Sequence, residues 1–208
     1  ASGVAWADYN NDGFQDLLIV GKGGGTTALY TNKGDGTFVK LTTGTGIGGG
    51  GLGSGSWADF DNDGYLDLFI GGANLLYRNN GNGTFTKAPF NAGGLNSYCA
   101  SWADFDNDGF VDLFMGNYYT GGLNGFFHNN GNGTFTKITN SILARDKGNS
   151  EGVSWGDYDN DGLLDLFVAN TGGQKCFLYH NDGHGDFTKI TNGPFTAAAG
   201  NFACGAWG

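Results

Sequence analysis

A tryptophan-centred segment that leads into an aspartate-rich loop occurs four times in this 208-residue chain. The clearest copy reads Trp57-Ala-Asp-Phe-Asp-Asn-Asp-Gly-Tyr-Leu-Asp67, and its relatives begin at Trp6, Trp102 and Trp155. Successive tryptophans are separated by 51, 45, 53 and 52 positions, the last interval ending at Trp207. Self-similarity at such a period predicts stacked supersecondary units. We therefore expect a single repeat domain over 1–208, with approximate repeats at 1–51, 52–96, 97–149 and 150–200, and with 201–208 opening a further repeat.

Alternate residues of each loop carry oxygen atoms, which indicates a metal site. In the second copy Asp59, Asp61 and Asp63 stand at loop positions 1, 3 and 5, and the Tyr65 carbonyl and Asp67 follow at positions 7 and 9. Such donors suit a hard cation that takes about six to eight oxygen ligands. We predict about four Ca²⁺ ions, one per repeat. The predicted ligands are Asp8, Asn10, Asp12, Phe14, Asp16, Asp59, Asp61, Asp63, Tyr65, Asp67, Asp104, Asp106, Asp108, Phe110, Asp112, Asp157, Asp159, Asp161, Leu163 and Asp165.

The EF-hand is the main alternative for such a loop, and it requires a bidentate glutamate at loop position 12 between two helices. Position 12 is apolar in every copy, being Ile19, Ile70, Met115 or Val168. The flanking segments have strand patterns, so we expect coordination to close at position 9. Ca²⁺ is preferred because the loop supplies many protein oxygens, whereas Mg²⁺ tends to keep its waters. Since no histidine, cysteine or lysine recurs beside the loops in the sequence, we expect structural metals and no enzymatic activity.

Each repeat has the pattern of four strands, which in the second repeat are predicted at 54–60, 66–70, 75–78 and 84–87. The asparagines and glycines between the last two strands tolerate positive φ and mark a hairpin. Equivalent hairpins are expected at 32–38, 129–135 and 181–187. Four antiparallel strands per unit predict an all-β protein, a β-propeller built from four-stranded antiparallel blades, with four repeats visible plus the first strand of a fifth. A β-solenoid is the alternative, although its coils are usually shorter.

The Asp-x-Asp-x-Asp-Gly-x-x-Asp loop between the first two strands, together with the Asn-x-Gly-x-Gly-Thr-Phe hairpin, resembles the FG-GAP/VCBS repeats of integrin α-subunit propellers and of many bacterial surface proteins. The resemblance extends over essentially the whole chain. The Phe-Gly…Gly-Ala-Pro signature itself is represented only by fragments such as Phe69-Ile-Gly-Gly-Ala73. The resemblance implies a calcium-binding β-propeller that is extracellular or attached to the cell surface and functions in adhesion or surface assembly.

Composition and charge exclude some classes of partner. The formal net charge is −10, but 15 of the 20 acidic residues lie in the four loops, where metal binding explains them. Only 10 lysines and arginines are present and they form no basic stripe, which argues against a nucleic-acid partner. No apolar run approaches the ~18 residues of a membrane span.

The leading functional hypothesis is a calcium-stabilised extracellular module with a structural, adhesion or protein-interaction role. The alternative is a propeller lectin that binds glycans between blades, with Tyr98, Tyr118 and Tyr119 as candidate aromatics because they break the repeat. An enzyme with its active site at 116–125 or 141–151 is a third hypothesis. The recurrent tryptophans are assigned to the core, since a residue at one strand position of every repeat is more simply structural.

The remaining sulfur and imidazole groups are expected to be structural. Cys99, Cys176 and Cys204 are too few for a disulfide framework, and we interpret them as small buried side chains. His128 and His180 directly precede hairpin asparagines and are expected to be exposed strand-end residues.

Both ends of the chain have the pattern of the first strand of a repeat, at 1–6 and 201–207. A closed ring of four repeats would then have one first strand too many. Because an unpaired apolar edge invites strand addition, we expect residues 201–207 to be completed by further polypeptide, with self-association through the terminal strands as one route.

Overall fold

The structure is a computed structural model that describes residues 3–21, 27–41, 44–48, 53–118 and 122–205. The described chain is all-β, with four four-stranded antiparallel sheets, one two-stranded sheet and two short helices. The strands are β1 (Gly3–Ala7), β2 (Asp16–Val20), β3 (Ala28–Asn32), β4 (Phe38–Leu41), β5 (Gly55–Ala58), β6 (Asp67–Ile70), β7 (Leu75–Asn79), β8 (Phe85–Lys87), β9 (Ser97–Ala103), β10 (Asp112–Asn117), β11 (Gly125–Asn129), β12 (Phe135–Lys137), β13 (Ser150–Gly156), β14 (Asp165–Asn170), β15 (Gln174–Lys175), β16 (Phe177–Gly183), β17 (Asp186–Ile190) and β18 (Ala199–Gly200); the helices are α1 (Ile142–Arg145) and α2 (Pro194–Ala197).

The four predicted strands per repeat are confirmed, and within a sheet they pair in chain order. The orders are β1-β2-β3-β4, β5-β6-β7-β8, β9-β10-β11-β12 and β13-β14-β16-β17. In the second sheet Trp57 pairs with Leu68, and Ala58 pairs with Asp67. This register places the aspartate loop at the end of the first two strands, with its last aspartate as the first residue of the second strand. The other three sheets repeat this arrangement.

The described hydrophobic core lies between consecutive sheets, because the second strand of a sheet sends side chains to both sides. In β6, Leu68 and Ile70 pack toward the first sheet, whereas Phe69 packs toward the third. All three are fully buried, which accounts for the apolar run that replaces the alternation of a half-exposed strand. Burial of such side chains contributes about 1.5–3 kcal/mol each. The sheets are therefore held together mainly by the apolar layers between them.

The tryptophans of the later repeats extend these layers. Trp57 stacks on Tyr9 with ring centroids 6.4 Å apart, and Trp102 stacks on Phe60 at 6.5 Å, so each ring contacts the loop of the preceding repeat. Trp6 is the exception, because its side chain is 56% exposed. The prediction that every tryptophan anchors the core is thus wrong for Trp6, since no described sheet precedes the first one.

Consecutive sheets also approach through their first strands, with β1 against β5, β5 against β9 and β9 against β13. Between the second and third sheets the Ser54 amide donates to the Tyr98 carbonyl at 2.9 Å. Within the second repeat, a Cβ on Gly53 would overlap the backbone of Gly71, and a Cβ on Gly71 would lie 3.1 Å from the Tyr98 carbonyl oxygen of the third repeat, so both close approaches favour glycine. The first strands therefore lie side by side. Among the described strands, each fourth strand pairs only with the third strand of its own sheet, and the Phe85 amide of β8 also donates to the Thr45 carbonyl at 2.6 Å.

Residues 199–205 return to the last repeat, where β18 pairs with β15 and the Phe202 amide donates to the Asn170 carbonyl at 3.1 Å. A Cβ on Gly152 of β13 would meet the Cys204 backbone, so this segment lies beside the fourth sheet. The predicted strand over 201–207 is not formed at 201–205, where the backbone lies against Asn170 and Gly152 of the fourth repeat; Trp207 lies outside the described residues. Within the described ranges, no helix is long and apolar enough to cross a membrane.

Candidate functional site

Each aspartate loop is folded around its first carboxylate. In the second loop Asp59 Oδ1 accepts a hydrogen bond from the Asp63 amide at 3.0 Å, and Asp59 Oδ2 accepts one from the Gly64 amide at 2.8 Å. Gly64 has φ +88° with open space around its Cβ direction, so the turn needs glycine for its backbone conformation. The other loops have the same pair of bonds to Asp8, Asp104 and Asp157.

This folding brings the predicted carboxylate ligands together. Oxygen atoms of Asp59, Asp61 and Asp67 lie within 4.8 Å of one another. Asp104, Asp106 and Asp112 form the equivalent cluster in the third loop, whereas the cluster in the fourth loop joins positions 1, 3 and 5, which are Asp157, Asp159 and Asp161. The residues at position 7 close each loop, and their side chains lie against hairpin glycines, as Tyr65 does over Gly81. Coordination by their carbonyls stays a prediction.

The last carboxylate of each loop is buried, at 0–1% exposure for Asp16, Asp67, Asp112 and Asp165. Asp67 accepts backbone hydrogen bonds from Asn79 at 2.7 Å and from Phe60 at 3.0 Å. Burial nevertheless raises the pKa of Asp67 and of Asp112 to about 7, and it raises the pKa of Asp16 and of Asp165 as well. A bound cation would favour the ionised form of these groups.

Two carboxylate oxygens at loop position 3 show whether the loops are suited to a metal ion. Asp61 Oδ1 and Asp106 Oδ1 are buried and have no hydrogen-bond partner in the described part of the chain. An unsatisfied buried acceptor is costly, and a cation held by the neighbouring carboxylates would satisfy it. The donors of each loop are oxygens, which are the ligands that Ca²⁺ prefers. The residues present therefore fit calcium.

The hairpin asparagines connect neighbouring loops, a role that sequence analysis missed. Asn79 is 1% exposed, and its side-chain amide donates to the carbonyl of Tyr9 in the first loop at 2.7 Å and to that of Leu66 in the second loop at 3.1 Å. Its backbone amide donates to the buried Asp67, and its Oδ1 accepts from Gly81 at 3.0 Å. The equivalent residues Asn129 and Asn181 have the same bonds. Each of these asparagines therefore joins two loops and two sheets.

A second set of bonds joins the loops directly. Asn11 Nδ2 donates to the Gly64 carbonyl at 2.9 Å, and Asn62 Nδ2 donates to the Gly109 carbonyl at 2.9 Å. Asn11 and Asn62 both have φ of 56°, a conformation that asparagine tolerates better than most residues. The loops of the first three repeats therefore form a connected row.

The residue before each hairpin asparagine faces its own loop, and its identity differs between repeats. In the first repeat it is Thr31, whose Oγ1 lies 3.0 Å from the Tyr9 hydroxyl. In the second it is Arg78, which contacts Asp61 through Nε and Asp63 through a terminal nitrogen at 2.6 Å. The guanidinium thus neutralises part of the second loop.

Histidine occupies this position in the third and fourth repeats. His128 Nδ1 lies 3.2 Å from Asp112 Oδ1, and His180 Nδ1 lies 3.2 Å from Asp165 Oδ1. Their side chains are only 29% and 25% exposed. The prediction of exposed strand-end histidines is therefore wrong, because strand pairing turns these side chains onto the loops.

The other sequence candidates lie outside the loops. Tyr98 and Tyr118 contact each other with ring centroids 5.0 Å apart, and Tyr119 lies outside the described residues. Cys99 and Cys176 are buried as expected, but Cys204 is exposed. The prediction fails at Cys204 because no described sheet follows the fourth one to cover it.

A cavity of about 360 Å³ lies between the second and third repeats. Its lining combines the apolar Ala88 and Pro89 with the polar side chains of Asp61, Arg78, Lys87 and Asn132, while the lining residue Phe60 is itself buried. It is therefore close to the aspartate loop of the second repeat and to the hairpin of the next repeat.

Together these features define a protein of tandem four-stranded β repeats, each with an acidic loop. The family model described as FG-GAP-like repeat matches residues 2–70, 71–115, 104–168 and 157–207, which cover nearly the whole chain. The chain belongs to the FG-GAP-like repeat family. A comparison with curated proteins found no significant match.

Among solved structures, the chain is similar to a lectin from Agrocybe aegerita that specifically recognises non-reducing terminal N-acetylglucosamine. The two are 21% identical with a TM-score of 0.56, and the match covers 90% of this chain and 51% of the lectin. The chain thus spans about half the length of that lectin. At this identity the likeness concerns the fold alone.

Proposed function

We propose that this protein is a non-enzymatic binding module of β-propeller type that functions outside the cell or on its surface, with Ca²⁺ in the four loops as a structural element. The sheets are its blades, and the loops close the connection between the first two strands of each blade. Four in-register blades with first strands side by side support the propeller arrangement. Propellers bind partners through surfaces supported by a rigid scaffold.

The carboxylate clusters carry this proposal. Each of the three clusters in the later repeats holds oxygen atoms of three carboxylates within 4.8 Å of one another, and Asp61 Oδ1 and Asp106 Oδ1 have no hydrogen-bond partner among the described residues. When bound, calcium would supply positive charge and satisfy these oxygens. The asparagine bonds would then transmit the ordering of one loop to the sheet that precedes it.

Calcium binding is tested by stoichiometry. Isothermal titration together with metal analysis of the dialysed protein should give about four Ca²⁺ per chain. Replacing the buried ligand in Asp67→Asn should remove one ion, whereas Asp35→Asn should remove none, because Asp35 is an exposed carboxylate of the first hairpin that bonds only Thr37. A wild-type chain that binds no calcium at 10 mM, about tenfold above the range of extracellular modules, would refute the metal role.

Glycan binding is the second candidate function, and the cavity between the second and third repeats favours it. Its charged and amide side chains, next to the apolar Ala88 and Pro89, suit a sugar, which presents an apolar face and several hydroxyls. A glycan array should then report binding that Lys87→Ala weakens. Lys40→Ala is the matched control, since Lys40 pairs with Tyr30 as Lys87 pairs with Tyr77 but does not line the cavity. Equal signals for both variants would exclude this cavity as the glycan site.

A further inference from the structure

The imidazoles of the third and fourth repeats give two of the four loops a nitrogen donor. His128 Nδ1 is 3.4 Å from Asp106 Oδ2 and 3.2 Å from Asp112 Oδ1, while His128 Nε2 is 3.9 Å from Asp108 Oδ2. One ring therefore contacts the carboxylates at loop positions 3, 5 and 9. The ligand atoms of His128, Asp106 and Asp108 lie within 4.8 Å of one another.

The fourth repeat reproduces this geometry. His180 Nδ1 is 3.3 Å from Asp159 Oδ2 and 3.2 Å from Asp165 Oδ1, and these three residues also form a cluster within 4.8 Å. Two ligand atoms that each lie about 2.1 Å from one ion, at angles of 90–110°, are about 3.0–3.4 Å apart. The nitrogen–oxygen separations of both repeats fall at this spacing.

The two nitrogens approach carboxylates without a hydrogen bond. Among the described residues, His128 Nδ1 and His180 Nδ1 are buried atoms that form no hydrogen bond, although carboxylate oxygens lie at ion-pair distance, 3.2–3.4 Å from each. The separations are thus short, but the N–H direction required for a hydrogen bond is not met. A buried nitrogen facing carboxylates in this way is arranged for a shared cation, which would satisfy all of these atoms at once.

An aromatic residue of each loop fixes the imidazole. The His128 ring meets Phe105 edge-on with centroids 6.2 Å apart, and the His180 ring meets Tyr158 edge-on at 6.1 Å. In the first two repeats the equivalent position holds Thr31 or Arg78, which offer no imidazole. The nitrogen donor is therefore confined to the third and fourth loops.

We propose that the third and fourth loops are mixed nitrogen–carboxylate sites at which a divalent transition ion of the Zn²⁺ class displaces Ca²⁺, held by His128 with Asp106, Asp108 and Asp112 and by His180 with Asp159 and Asp165. Imidazole together with carboxylate suits Zn²⁺ and its neighbours, whereas Ca²⁺ prefers oxygen donors alone. The inference rests on the proposed metal-binding role of the same carboxylates. It divides the four loops into two oxygen sites and two mixed sites.

The experiment uses the chain without an engineered histidine tag, stripped of metal and titrated with Zn²⁺ by calorimetry. Wild type should bind two Zn²⁺ ions. His128→Gln and His180→Gln should each bind one, with at least tenfold weaker binding at the altered loop, and the double variant should bind none at micromolar concentration. His184→Asn is the matched control and should retain two ions, because His184 is the third histidine and lies in a turn with φ 55°, where asparagine is tolerated.

A second measurement does not depend on the variants folding. Cu²⁺ added to the wild-type protein at two equivalents should give an electron paramagnetic resonance spectrum with nitrogen hyperfine structure. The proposal is overturned by a spectrum with oxygen ligation alone, or by a folded double variant that binds Zn²⁺ as wild type does. Calcium stoichiometry is measured on the same proteins. A wild-type chain that binds Zn²⁺ but no Ca²⁺ would refute the calcium role. A wild-type chain that binds Ca²⁺ but no Zn²⁺ would refute the mixed sites.

Discussion

The first and second repeats have the same strands and the same loop pattern. They differ at the positions that, in the second repeat, contact the repeat before it. Trp57 stacks on Tyr9 of the first loop, whereas the equivalent Trp6 is 56% exposed. Asn79 bonds both its own loop and the preceding one, whereas the Asn32 side-chain amide donates to Gln15 of its own loop at 3.1 Å. The comparison teaches that much of the stability of a repeat resides in its contacts with the repeat before it.

The largest difference is expected at the tryptophans. Trp57→Ala should reduce the free energy of unfolding by about 3 kcal/mol, because it removes the ring that packs on Tyr9 and Phe85. Trp6→Ala should cost less than about 1 kcal/mol, since most of that ring is already in water. Urea denaturation of both variants checks the comparison. Similar losses would show that the first sheet is covered in solution.

The asparagines should show the next largest difference. Asn79→Ala leaves the buried carbonyls of Tyr9 and Leu66 without their donor, which should cost about 2–3 kcal/mol. Asn32→Ala removes bonds only within its own exposed loop and hairpin and should cost about 1 kcal/mol or less. Unfolding curves measured in chelator and again in calcium would separate the effect of the Asn79 hydrogen bonds from any effect of the metal. Equal losses for Asn32→Ala and Asn79→Ala would contradict the bridging role.

A smaller difference concerns the metal affinity of the two loops. The first loop has Asn10 in place of a carboxylate, and Asn10 Nδ2 already donates to Asp12 at 3.0 Å. The second loop has four carboxylates, but the guanidinium of Arg78 contacts two of them. Because ligand charge is one of the terms that set calcium affinity, Asn10→Asp and Arg78→Thr should each tighten calcium binding at their own loop roughly tenfold, about 1.4 kcal/mol.

Calorimetric titration of the two variants against wild type would measure this effect. Site assignment comes from backbone amide shifts of Gly13 and Gly64, which bond the first aspartate of their loops. An unchanged affinity in Asn10→Asp would refute the argument from ligand charge. An unchanged affinity in Arg78→Thr would show that the arginine leaves the carboxylates when the ion binds.

The strands and loops follow directly from the sequence because their patterns are local. The run Asp67–Ile70 and its equivalents place a strand after each loop, and the loop glycines mark the turns. The contacts between repeats were not predictable in this way. Asn79 is recognisable in the sequence as a turn residue, but its bond to Tyr9 depends on how two sheets face each other.

The side chains at the loops show the same limit. His128 precedes a buried asparagine, so strand alternation places it on the opposite side, and only the sheet arrangement shows that this side faces the carboxylates. The exposure of Trp6 and Cys204 likewise depends on whether another sheet covers them, which residue type does not reveal. An asparagine recurs at the start of the hairpin in every repeat, as Asn32, Asn79, Asn129 and Asn181, and this recurrence was the signal that could have identified the hydrogen bonds between loops.

Thermal unfolding with and without calcium tests the central claim that the loops are structural metal sites. Binding to the native state alone stabilises it by about 2.7 kcal/mol per site when calcium is at 100 times its Kd, which for a chain of this length corresponds to a rise in Tm of roughly 5–10 °C. Melts in 10 mM calcium and in excess chelator should therefore differ by at least about 5 °C. Equal melting temperatures in the two conditions would contradict a structural role for the metal.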